Sequence, residues 1–141
     1  MRLTRRTEYG LMALAWLARA GGRFHSVREI TENLDVPRRL LAEILKDLSQ
    51  AGLVEAVRGP GGGYRLREDP GRLTLGRIVN VLEGPTIFAE CYQGDCDLSP
   101  RCTIKRGIGE VARRLEAVLE DFTLEEVVHG PAGAPAPSPS S

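Results

Sequence analysis

The hydrophobic period of this chain changes near Gly52, and that change narrows the possible folds sharply. Before it, Leu40, Leu41, Ile44, Leu45 and Leu48 recur at three- and four-residue intervals, the signature of an amphipathic helix. Gly52 is placed to end that helix. After it, Leu53 to Val57 and Tyr64-Arg65-Leu66 are too short for helices. They flank Arg58-Gly59-Pro60-Gly61-Gly62-Gly63, a turn-forming loop, and so predict a β-hairpin.

Upstream, a first helix is expected from about Thr4 to Ala20, with Leu11, Leu14, Ala15 and Ala18 on one face and Gly21-Gly22 as its stop. Ser26-Val27-Arg28-Glu29 reads as a capping box that opens a second helix, ending near Leu34. Asp35-Val36-Pro37 makes a tight turn, and Pro37 suits the first position of the third helix. Three helices followed by a hairpin form a winged helix-turn-helix, a mainly α fold with a small β-hairpin wing.

Beyond the hairpin, Thr74 caps a fourth helix that runs to Glu83 and breaks at Gly84-Pro85. A last long helix is expected from about Pro100 to Phe122. Its apolar positions are Ile104, Ile108, Val111, Leu115, Val118 or Leu119, and Phe122, spaced by four and three like a coiled-coil seam. It would be roughly 30 Å long, and the seam is expected to lie on a second copy of the chain. Thr123 to Val128 adds one capped turn. The expected organisation is residues 1–84 as a DNA-binding unit, 85–101 as a cysteine-rich loop, 102–128 as the dimerisation helix with a short terminal helix, and 129–141 as a disordered tail of Pro, Ala, Ser and Gly.

Net charge is zero, but it is unevenly spread. Residues 1–67 hold 12 Lys and Arg against 7 Asp and Glu, a net of +5, and the remainder carries −5. A basic N-terminal half supplies the electrostatic footprint for phosphate contacts. No apolar run approaches the ~20 residues of a membrane span. The basic start lacks a cleavage-site pattern, so a cytoplasmic location without membrane contact is expected. His25 and His129 have no nearby nucleophile arrangement, and no enzymatic activity is expected.

On the third helix, the side opposite the leucines carries Arg38, Arg39, Ala42, Glu43 and Lys46. The N-terminal residues of such a helix enter the major groove of double-stranded DNA, where arginine takes guanine O6 and N7 bidentately. Arg38, Arg39 and Ala42 are therefore candidate base-facing residues. In the wing, Gly59, Gly61 and Gly62 let the backbone approach phosphates, and Arg58 is placed to enter the minor groove. Ser26 at the second helix start completes this candidate set. A nucleotide-binding loop would need Lys then Ser or Thr, and a helix after the glycines; Tyr64-Arg65-Leu66 is strand-like instead.

All three cysteines fall within twelve residues, as Cys91-x4-Cys96-x5-Cys102. Spacing alone leaves isolated thiols, a structural zinc and an iron–sulfur cluster open. Ser99 and Pro100 look like a helix start, which would place Cys102 in a first helical turn, where the dipole favours an anionic sulfur. A fourth ligand is open among Glu90, Asp95, Asp97, Glu8, His25 and His129.

The opening Met1-Arg2-Leu3-Thr4-x-x-Thr7-Glu8-Tyr9-Gly10, the wing Val57 to Tyr64 and the ordered cysteines resemble the IscR/NsrR family of winged-helix repressors. Residues 90–105 and 122–124 are most similar to its nitric-oxide-sensing NsrR branch. The resemblance covers residues 1 to about 128. It implies a homodimeric repressor in which Cys91, Cys96 and Cys102 ligate a cluster, 4Fe–4S rather than 2Fe–2S. IscR-type members carry a histidine ligand three residues after the third cysteine, where this chain has Lys105. NsrR-type members carry an acidic ligand on the first helix that reaches the other subunit's cluster; Glu8 stands there, one methylene longer than the usual Asp. Ala42 takes the place of a base-reading Glu. An IscR-like redox or iron-status regulator and a zinc-stabilised interaction module are the alternatives.

Overall fold

The computed structural model describes residues 3–84 and 103–130. The described residues form six helices and one hairpin: α1 (Arg5–Arg19), α2 (Val27–Asn33), α3 (Arg38–Gln50), β1 (Val54–Val57), β2 (Gly63–Leu66), α4 (Leu75–Glu83), α5 (Lys105–Asp121) and α6 (Leu124–His129). The strands pair antiparallel, with Val54 opposite Leu66 and Val57 opposite Gly63. This is the mainly helical, hairpin-bearing fold that the period change predicts.

One apolar core unites these elements. It holds Leu14 and Leu17 of α1, Ile30 of α2, Leu41, Ile44, Leu45 and Leu48 of α3, Ile78 and Leu82 of α4, and Leu124 of α6. Full burial of one such side chain contributes about 1.5–3 kcal/mol. On α3 the predicted leucine face is the buried face, with Leu40 at its edge. On α1 the buried stripe is Thr7, Gly10, Ala13, Leu14 and Leu17. Leu11, Ala15 and Ala18 flank it, because small residues let neighbouring helices approach and so claim the contact line.

Helix ends depart from expectation in three places. Pro37 is the N-cap of α3 rather than its first residue. Ser26 caps α2, its Oγ accepting from the Glu29 N–H at 3.0 Å. The other half of the expected capping box is replaced: the Glu29 carboxylate turns to His25 Nδ1 and, at 3.6 Å, to Arg23. The reciprocal box forms instead at α6, between Thr123 and Glu126. The third departure is the long helix, which begins at Lys105 and not near Pro100. β-branched Thr103 and Ile104 precede it and Gly107 and Gly109 weaken its first turns. Cys102, expected in a first helical turn, lies outside the described residues, as do Cys91 and Cys96.

At 17 residues, α5 is about 25 Å long. It lies along α4, with Ala112 buried. Its C-terminal end is fixed by backbone: Leu75 N–H donates to Phe122 O at 2.7 Å, and Leu124 N–H to Leu73 O at 2.8 Å. The predicted seam faces outward in part, with Ile104, Val111 and Val118 at 58%, 44% and 63% exposure.

Candidate nucleic-acid interface

The leucine face of α3 is sealed in the core, which turns its opposite face to solvent. Arg38, Arg39, Glu43 and Lys46 are exposed there and Ala42 is half-buried. Arg5, Arg6, Arg28, Arg65 and Arg77 all pair with carboxylates. Among the described residues Arg38, Arg39 and Lys46 pair with none, and neither does Arg58 at the wing. Cations without partners keep their full charge for an external anion.

The wing tip is a tight turn. Gly62 N–H donates to Gly59 O at 2.9 Å. Pro60 supplies the fixed φ of the second position and Gly61 the positive φ (+76°) of the third, as a type II turn requires. Arg58, Gly59 and Gly61 are exposed and Gly62 is half-buried. A Cβ on Gly62 would lie 2.2 Å from Val57 O, so the two sides of the loop close on glycine alone.

The base of the wing is latched to the α1–α2 connection. His25 and Tyr64 exchange both backbone bonds, at 2.9 and 2.7 Å, which extends the hairpin by a bridge. His25 is 1% exposed. Its Nδ1 meets the Glu29 carboxylate, which can only accept, so the hydrogen sits on Nδ1. The Trp16 ring lies edge-on at 4.8 Å, and Nε2 is buried with no partner among the described residues. Enclosed this way, His25 is held in the latch through Nδ1 and its backbone. Arg65 reinforces the seat: it pairs with Glu55 across the strands at 2.9 Å, donates to Gly22 O at 3.3 Å and lies over Phe24 at 4.4 Å.

Sequence reading missed this latch and the Arg65 anchor. One signal was present: Glu55 and Arg65 are equidistant from the turn, as an opposite-charge cross-strand pair should be.

Glu8 lies in the first turn of α1, its side chain 42% exposed, in a 3.1 Å pair with Arg5. The start of α1 abuts the end of α4. Thr4 N–H donates to Glu83 Oε1 at 2.8 Å, and Arg6 Nε to Leu82 O at 3.1 Å. The chain therefore leaves α4 for the cysteine segment beside the helix that carries Glu8. The Thr4 backbone bond holds the Glu83 pKa below its ordinary range, against a smaller opposing effect of desolvation. A lowered folded value stabilises in full above the ordinary glutamate pKa of about 4.3 and is lost as pH falls through the lower one. We expect the Tm advantage of the unmodified chain over Glu83→Gln, present at neutral pH, to shrink on acidification; a gap constant from neutral to acid pH would refute this account of Glu83.

A family model described as Rrf2, iron-dependent transcriptional regulator, matches residues 3–130. The chain belongs to the Rrf2 family. Solved Rrf2-like structures agree. CymR, the global cysteine regulator of B. subtilis, is 28% identical over 91% of this chain and 96% of its own, with a TM-score of 0.72. T. potens IscR is 27% identical over 91% and 86%, at 0.68. The oxidized form of Staphylococcus aureus CymR is 28% identical over 91% and 96%, at 0.66. This Rrf2 protein is a transcriptional regulator with the winged-helix fold. Among its described residues no helix is long and apolar enough to cross a membrane.

Proposed function

We propose that this Rrf2 protein is a homodimeric, cytoplasmic repressor that reads double-stranded DNA with α3 and the wing and is controlled by an iron–sulfur cluster, with nitric oxide as signal. The observation that carries the DNA reading is the exposed face of α3, where Arg38, Arg39 and Lys46 stand without carboxylate partners among the described residues. Arg38 and Arg39 contact base edges, Ala42 lies against the bases, and Arg58 with Gly59, Gly61 and Gly62 follows the backbone into the minor groove. Ser26 holds the start of α2 toward phosphate. Removing one base-contacting arginine costs about 1–3 kcal/mol. Arg39→Ala is expected to weaken a preferred duplex at least about 5-fold while leaving non-specific binding much less changed; equal loss on all sequences would make Arg39 a phosphate contact.

The donor set fits a cluster. Cys91, Cys96 and Cys102 are soft thiolate donors, and Glu8 is a weak, exchangeable carboxylate. Among the described residues Glu8 is held by its half-exposed pair with Arg5, worth at most about 1 kcal/mol, which would leave its carboxylate able to ligate across the dimer. The cluster, favoured as 4Fe–4S, supplies iron reactive toward nitric oxide and oxidants. Bound to the cluster, Glu8 would tie α1, and through it the reading unit, to the partner, and its release would free that unit to turn. A 100-fold loss of operator affinity needs only ~2.7 kcal/mol of coupling. Anaerobic purification should give iron and sulfide in the protein, and a colourless zinc or metal-free protein would overturn the cluster. Glu8→Ala should alter the cluster spectrum and its reaction with nitric oxide; an unchanged pair of readouts removes Glu8 from the ligand set.

The likeness to T. potens IscR favours a second reading, a redox or iron-status regulator on the same scaffold. A cluster that responds to oxidant or iron supply but is indifferent to nitric oxide would select it.

A further inference from the structure

We propose that Arg6 is a positioning residue for the reading helix, joining the end of α4 to α3 through one guanidinium. Its Nε donates to Leu82 O at 3.1 Å, and its terminal nitrogen pairs with the Asp47 carboxylate on α3. Leu82 is in the last turn of α4, where carbonyls have no donor within the helix, and Arg6 supplies one. Asp47 lies on the reading helix, next in sequence to Lys46. The guanidinium is planar with its donors in a fixed fork, so a shift of one partner is transmitted to the other.

The same three helices meet again at Gly10. A Cβ there would lie 2.5 Å from Leu82 Cδ1 and 3.4 Å from Ile44 Cγ2, and both of those side chains are buried. The last turn of α4 is thus linked to α3 twice through α1, by the Arg6 fork and by the apolar contact over Gly10. The Arg6 and Asp47 side chains are 32% and 43% exposed, so screening makes the pair a weak source of stability. Its content is geometric: the position of α4's end, where the chain departs toward its three cysteines, fixes the pose of Arg38, Arg39 and Lys46. The inference rests on α3 being the DNA-contacting helix.

The test uses the full chain and a duplex that the unmodified chain selects from a randomised pool. Alkylation of the thiols with iodoacetamide, or joint Cys91→Ser, Cys96→Ser and Cys102→Ser substitution, perturbs the segment after α4 without altering α1, α3 or α4. In the otherwise unmodified chain this is expected to change amide exchange across α3, and duplex affinity by about tenfold. In Arg6→Gln and in Asp47→Asn both responses should shrink to under about twofold, within ordinary additivity. The exchanged pair Arg6→Asp with Asp47→Arg keeps an ion pair but removes the donor to Leu82 O from α1. It should keep Tm near that of the unmodified chain without recovering the response, whereas a purely structural ion pair would recover the response as well. A response that survives Arg6→Gln overturns the proposal, as does an α3 that ignores thiol modification in the unmodified chain. Should no duplex be selected, the DNA reading of α3 has failed instead, and the exchange measurement, which needs neither DNA nor metal, still decides the role of Arg6.

Discussion

Gly63→Ala is expected to lower Tm by about 10 °C and to release the wing from the helical body. Gly63 has φ +148°, and a Cβ on it would lie 2.1 Å from His25 O and 2.7 Å from Ser26 N. Both contacts are backbone, so no side chain can swing away to relieve them. Backbone strain of this kind costs about 1–3 kcal/mol, and each of the two His25–Tyr64 bonds it would displace contributes about 1 kcal/mol. A total near 3 kcal/mol corresponds to about 10 °C for a domain of this size. Hydrogen exchange should locate the damage in residues 54–66 and at His25, and duplex affinity should fall because Arg58 loses its seat. A variant with unchanged Tm and unchanged protection of the Tyr64 amide would show that the wing does not depend on this latch.

The second large effect is expected at α5. Joint Val111→Asp and Val118→Asp substitution should leave the subunit folded, because both side chains are exposed within one chain. It should nonetheless convert the proposed dimer to single chains of 15.4 kDa, since an unpaired carboxylate in an apolar seam must be desolvated. A dimer engages two half-sites about one DNA turn apart. Removing one of them should cost at least about 100-fold in affinity through lost effective concentration. Sedimentation and duplex titration report the two effects separately. If the doubly substituted chain still sediments as a dimer, the seam is not the interface and another surface of the chain must pair.

Much of this was legible because local rules and the fold agree. The leucine run of α3, the Thr74 and Ser26 caps and the stop at Gly52 each express a short-range preference that burial then reinforces. What escaped was non-local. Glu29 abandons its capping-box role because His25, four residues back, is brought under the wing by pairing with Tyr64, a partner far along the chain. Gly10 and Ala13 define the buried stripe of α1 by being small, a property that hydrophobic periodicity does not weigh. Arg6 looks like one more basic residue at the start of the chain until α4 and α3 are folded against it. The α3 and wing residues of the candidate site were placed by pattern, and the lack of carboxylate partners for Arg38, Arg39, Lys46 and Arg58 among the described residues emerged only from the structure.

The way α5 is fastened gives it a mechanical character. Its C-terminal end is clamped by the backbone bonds that tie residues 122 and 124 to residues 73 and 75, with Leu124 fully buried as the plug. Its other end carries exposed Ile104, Arg106 and Gly107. With Ala112 buried against the body, only the turns ahead of it overhang, about 10 Å of rod: a rotation of about 10° there swings the tip by about 2 Å. Small adjustments beneath Ala112 would thus be read out where the chain enters α5.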